Sequence, residues 1–212
     1  CQCSSCLSSK YSERNIELKD YQESPQTSAS LQRMANYLVD EYWADTSSSK
    51  RDWNLSSKGS NPQSGTITFS LGNNRYDSDG ITSEVAELYR DSFKLFEETL
   101  GINFEENSSF TTNADIEILD TYDGAFAGSD YSKSKISWAF INISESWTDY
   151  YGSNMGTYSL QTILHEIGHA LGLGHQGNYN GSANYGFDEI FQNDSWQSSM
   201  MSYFSQSENI NI

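Results

Sequence analysis

The chain has 212 residues, a formal net charge of −17, 14% aromatic residues and only two prolines, which suits one packed domain or two small ones and excludes a long disordered chain. Twelve Lys and Arg against 29 Asp and Glu exclude the clustered cations that a nucleic-acid surface needs. No apolar run approaches the ~20 residues of a membrane-spanning helix.

Residues 1–30 are rich in Ser, Lys and Glu, poor in large apolar residues, and hold all three cysteines, Cys1, Cys3 and Cys6. They read as an N-terminal extension, and 31–212 as the folded domain. From Ala29 to Trp43 the apolar positions Leu31, Met34, Leu38 and Tyr42 follow helical spacing, with Ser28 or Ser30 as the cap. A polar loop from Ala44 to Ser64 leads to Thr66–Leu71, where Ile67, Phe69 and Leu71 alternate on one face of a half-buried strand. Asp77-Ser78-Asp79-Gly80 is the best local calcium candidate. Arg75 stands at what would be its first ligand position, so a turn is expected there instead.

The next helix carries the widest apolar stripe in the chain: Val85, Leu88, Tyr89, Phe93, Phe96 and Leu100. Thr82 or Ser83 can cap its start, and Gly101 stands where its C-terminus would want glycine. Short strands follow at Ile102–Glu105, Ala114–Leu119 and Ile136–Ser144. Ser159–Leu173 then reads as a helix with Leu160, Ile163, Leu164, Ile167 and Leu171 buried. This order of helices and strands predicts an α/β layer in which helices pack on one twisted sheet.

All three histidines of the chain fall in eleven residues, His165-Glu166-Ile167-Gly168-His169-Ala170-Leu171-Gly172-Leu173-Gly174-His175. On a helix His165 and His169 lie one turn apart on the same face, so both imidazoles can converge on one ion. Gly172 and Gly174 reach left-handed conformations that end a helix, and the chain can then fold His175 back as a third ligand. Three neutral nitrogens with a fourth position left to water describe a catalytic zinc site rather than a closed structural one. Glu166 follows the first histidine and can act as general base on water whose pKa the ion lowers toward ~7. A bare HExxH arises by chance on amphipathic helices; the added glycines and third histidine make three merely core-packed histidines a poor alternative.

The pattern H-E-x-x-H-x-x-G-x-x-H resembles that of the metzincin zinc endopeptidases, which carry a methionine-containing turn downstream. Within Ser199-Met200-Met201-Ser202-Tyr203-Phe204, Met201-Ser202-Tyr203 matches the Met-Ser-Tyr of the serralysin branch. His175-Gln176-Gly177-Asn178-Tyr179-Asn180 is similar to that branch's His-Pro-Gly-Asp-Tyr-Asn, with Gln176 and Asn178 as departures. Asn193-Asp194-Ser195 is similar to its Glu-Asp-Thr. The resemblance implies a metzincin-like fold, with a mostly parallel twisted sheet packed on helices and an active-site helix followed by a C-terminal methionine-turn subdomain. It implies Met201 as an apolar floor under the imidazoles, and Tyr203 as a ligand of the resting zinc that swings to hydrogen-bond the oxyanion. It also implies that Asp123-Gly124-Ala125-Phe126-Ala127-Gly128 contains the exposed edge strand that pairs with substrate, Gly124, Ala125, Phe126 and Ala127 lining it. A turn followed by a packed strand is the equal alternative.

The expected activity is hydrolysis of internal peptide bonds in protein or peptide substrates by a monomeric enzyme, secreted or at a bacterial cell surface. It would use one catalytic Zn2+; Ca2+ stays open. Four readings of the cysteines also stay open: tail thiols or a local disulfide; a thiolate that occupies the fourth zinc position and keeps the enzyme latent; a lipid anchor at Cys1; or an expression boundary. A latent zymogen or zinc-bearing binding module, its cleft closed by residues 1–30, is therefore the alternative to a mature enzyme. Serralysins usually continue into glycine-rich calcium repeats, so the resemblance covers a catalytic domain alone.

Overall fold

Alternation in Thr66–Leu71 makes an interior strand of a sheet: Ile67 and Phe69 are buried, and this strand bonds in parallel to a neighbour on each side. The computed structural model describes residues 27–55, 65–72, 80–108 and 114–209. Cys1, Cys3 and Cys6, and the Asp77-Ser78-Asp79 turn, lie outside the described residues. The chain divides into two compact units, Arg51–Gly172 and the pair of segments Cys1–Lys50 and Leu173–Ile212.

In the unit Arg51–Gly172 the described strands are β1 Asp52–Trp53, β2 Thr66–Leu71, β3 Asn103–Glu106, β4 Ile116–Leu119, β5 Ala125–Ser132 and β6 Lys135–Ile143. Their order is β1-β6-β4-β2-β3, all parallel pairs, with β5 laid antiparallel along β6. The expected mostly parallel sheet is thus present. Strand β1 falls inside the stretch expected to be a polar loop, because Trp53 is buried and its indole N–H donates to Ala170 O at 3.0 Å.

Helix α3, Ser83–Leu100, is bounded as its sequence dictates: Thr82 Oγ1 accepts from Val85 N–H, and Gly101 adopts φ +68°. Its Val85, Leu88, Tyr89, Phe93 and Phe96 share one core with Ile67, Phe69, Ile116, Ile118, Ile141, Ile163 and Ile167. Phe93 stacks on Phe69 at 4.2 Å. Each such side chain contributes roughly 1.5–3 kcal/mol by leaving water. Leu100, expected on the stripe, is exposed, as are Glu98 and Thr99 before it. Helix α4, Glu145–Tyr151, was not foreseen; α5 runs Tyr158–Ala170.

In the other unit α1, Leu31–Asn36, begins at Ser30, whose hydroxyl accepts from Arg33 N–H at 3.2 Å. A five-residue π turn, Tyr37–Glu41, separates it from α2, Tyr42–Asp45. That turn changes which residues are buried. Met34 and Tyr37 are three apart, but the next buried residue is Tyr42, five further on; an i→i+5 turn, closed by Tyr42 N–H donating to Tyr37 O, brings both onto one face. Leu31 is 74% exposed, because the stripe reads Met34, Tyr37, Tyr42 and Trp43 instead. These four pack with Phe191.

From residue 173 to 209 the unit has turns and no regular element. Side-chain hydrogen bonds do the work of a ladder. Asn193 Oδ1 accepts from Ala29 N–H at 2.8 Å while its amide donates to Ala29 O at 3.0 Å, and the Asn209 amide donates to Gln192 O and Asp194 O, each at 2.9 Å.

Candidate metal centre and active site

Helix α5 places His165 and His169 one turn apart, their rings 4.7 Å between centroids and nearly perpendicular. His165 is buried and His169 half-buried. Glu166, between them in sequence, is 1% exposed. It lies within electrostatic reach of Tyr89 of α3, whose phenol is pushed well above its ordinary range first by burial, then by the carboxylates of Glu166 and Asp120. The helix stops at Ala170. Gly172 follows at φ +102°, and a Cβ there would strike the carbonyl oxygen of Arg51, so position 172 requires glycine for conformation and for space.

Gly174 differs from the sequence-based expectation. It does not adopt a left-handed conformation; it is small because any Cβ would run into the Tyr42 ring. Its N–H donates to Leu38 O at 2.8 Å, fixing the chain just before His175. The His175 ring is edge-on to Tyr42, with the hydroxyl 3.1 Å from Nδ1, and near the rings of Tyr203 at 4.6 Å and Tyr179 at 5.7 Å. Along the continuous segment 165–175, one nitrogen from each of His165, His169 and His175 lies within 4.8 Å of the other two. Three imidazole nitrogens at this spacing form the donor set that suits a zinc ion.

The methionine-turn residues fall in the unit that holds His175. Met201 is fully buried and Met200 is 37% exposed. Gln176 N–H donates to Met201 O at 3.2 Å. The hydroxyl of Tyr203 accepts from Gly181 N–H at 3.3 Å. Behind it, Tyr179 donates to both carboxylate oxygens of Asp194, at 3.0 and 3.3 Å, and its own oxygen accepts from Tyr203 N–H at 3.4 Å. Burial pushes the Asp194 carboxyl up to about 7 against the lowering by its bonds to Ser202 and Tyr179. Asp194 was visible in the sequence only through the Asn-Asp-Ser likeness.

Strand β5 pairs with β6 along one side and has no second strand partner among the described residues. Ala125 is buried; Phe126, Ala127 and Gly128 are half-buried. Gly124, at φ +88°, starts it, and Asn142 of β6 pins the approach: its amide donates to Tyr122 O at 2.6 Å and Gly124 O at 3.2 Å, while its oxygen accepts from Tyr122 N–H at 3.0 Å. A Cβ at Gly128 would meet the Phe140 ring at 2.6 Å. The absence of a side chain at 128 therefore serves packing on β6.

A mostly parallel α/β sheet whose last helix bears two imidazoles flanking a buried carboxylate is an arrangement that zinc peptidases use. Residues 60–185, more than half of the chain, match the family model described as Matrixin, of the M10 peptidases; the chain belongs to this family. Its relatives include Serralysin C of Dickeya chrysanthemi, 45% identical over 71 residues, which are 30% of this chain and 15% of that protein. Metalloprotease AprA of Pseudomonas entomophila is 44% identical over 73 residues, 34% of this chain and 15% of the relative. The hatching enzyme of Paracentrotus lividus is 32% identical over 119 residues, 51% and 19% of the two chains. The matches thus span under a fifth of these relatives' lengths. A solved structure titled "Structure of myroilysin" aligns with a TM-score of 0.37 at 17% identity over 65% of this chain and 54% of that one, too low to define the fold, which rests here on the family match. Within the family the chain is serralysin-like, and membership implies a catalytic zinc. No helix among the described residues is long and apolar enough to cross a membrane.

Proposed function

We propose that the protein is a zinc-dependent endopeptidase that cleaves internal bonds of protein substrates, with 31–212 as its catalytic domain and 1–30 as an extension. The observation that carries this reading is the grouping of His165, His169 and His175 around a helix that also buries Glu166. A zinc ion held by the three imidazoles would supply Lewis acidity and a water activated near neutral pH. Glu166 takes the proton of the attacking water and returns it to the leaving amine. Tyr203 donates its phenolic proton as a hydrogen bond to the developing oxyanion. Met201 closes the floor beside His175 with apolar surface. Residues Gly124, Ala125, Phe126 and Ala127 offer the edge of β5 to an extended peptide, whose backbone adds as a further strand. The enzyme acts outside the cell, a reading supported by the likeness of 175–180 and 201–203 to serralysins.

Glu166→Ala tests the reading. Zinc stoichiometry should be unchanged while casein hydrolysis falls about 10²–10⁴-fold. Equal rates in the two proteins would remove Glu166 from the mechanism. Assaying the chain before and after removal of residues 1–26 decides its state: activity in both means a mature enzyme, activity only after trimming a zymogen, and none in either a zinc-bearing binding module.

A further inference from the structure

We infer that Tyr42 is a positioning residue for the metal centre: its hydroxyl holds His175 in the tautomer that leaves Nε2 for the ion. This deepens the zinc reading and rests on it. The geometry begins with the π turn. Had Tyr37–Glu41 continued as α-helix, Tyr37 and Tyr42 would point about 140° apart (five residues at ~100° each); the i→i+5 turn puts both on the buried face. Tyr42 then lies 5% exposed, edge-on to the His175 ring at 5.4 Å and 89°, with its oxygen 3.1 Å from Nδ1. The absence of a side chain at Gly174 makes room for this ring. Three local peculiarities, an inserted residue in a helix turn, a glycine without a left-handed conformation and a buried phenol, thus serve one contact across 133 residues of sequence.

The chemistry follows from the imidazole. A neutral ring that coordinates through Nε2 carries its proton on Nδ1. Tyr42 Oη accepts that proton, fixing both tautomer and ring orientation, as the outer partner of a ligating histidine does. The phenol acts as a neutral partner that adds no charge beside the ion.

Tyr42→Phe removes only the oxygen. The control is Tyr37→Phe, another buried phenol of the same helical segment, whose hydroxyl donates to Asp45 at 2.9 Å. Zinc affinity of the full chain, read by competition with a chelating indicator, should weaken roughly 10–100-fold in Tyr42→Phe and stay at the parent value in Tyr37→Phe. Equal affinity in all three proteins, or the same loss in both variants, would overturn the assignment. A parent that binds no zinc would instead remove the metal reading, and this inference with it. Should Tyr42→Phe fail to fold, nitrogen-15 NMR of the zinc-loaded parent gives the answer. His175 should carry a protected Nδ1 proton, and one exchanging freely with solvent would sink the proposal.

Discussion

The unit Arg51–Gly172 and the unit formed by 1–50 with 173–212 both bury aromatic side chains, but they hold them by different means. In the first, backbone ladders and helices set the frame, and Phe69, Phe93, Ile118 and Ile167 fill it. The described part of the second has one helical segment, interrupted by a π turn, and then turns only. Its order comes from particular polar side chains: Asn193 on Ala29, Asn209 on Gln192 and Asp194, Tyr179 on Asp194. A regular frame tolerates many sequences, since its hydrogen bonds are backbone to backbone. An irregular one depends on individual residues, because each buried polar group must find its own partner.

The contrast can be broken at several points, in falling order of expected effect. Phe93→Ala should destabilise the regular unit by about 3–5 kcal/mol through the cavity it leaves, read as a lowered urea midpoint; a loss under 1 kcal/mol would deny the apolar core its role. Tyr203→Phe should lower kcat about 10²-fold with zinc content and KM little changed, as expected for a lost oxyanion donor. A purely structural Tyr203 would give parent kinetics. Asp194→Asn probes the polar frame through pH. Burial holds the folded-state pKa of Asp194 up at about 7, above its unfolded value, so the folded chain binds that proton more tightly. The resulting stability is fully present below the unfolded carboxyl range and is lost as pH rises through about 7. Urea midpoints of the metal-free parent should therefore fall more steeply from pH 5 to 8 than those of Asp194→Asn; parallel slopes would assign the dependence elsewhere. The smallest effect belongs to Thr82→Ala, where loss of the α3 cap should cost about 0.5–2 kcal/mol in the same measurement.

The two units also differ in how far the sequence could be read. Strand Thr66–Leu71 and the caps of α3 were legible because alternation, a β-branched or aromatic run, and a Thr–Gly bracket are local signals. Strand β1 was not: two residues carry no period, and Trp53 earns its place by a bond to Ala170. The stripe from Leu31 failed for a related reason. It assumed α-helical spacing, while the burial of Tyr37 together with Tyr42 required an inserted residue. Gly174 was recognised as necessary but for the wrong cause, since a close approach to Tyr42 leaves no trace in the dihedral preference of glycine.

By itself the sequence determined the candidate residues: two imidazoles and a carboxylate at fixed spacing on a helix, a third imidazole just past its end and a Met-Ser-Tyr stretch beyond are properties of neighbouring residues and need no distant partner to be recognised. Tertiary structure alone decided what surrounds them. That Tyr42 meets His175, that Asp194 braces Tyr179, and that Asn142 pins the start of β5 depend on residues 133, 15 and up to 20 positions apart. Such pairings follow from how buried polar groups find partners once the chain is packed, and no local pattern encodes them.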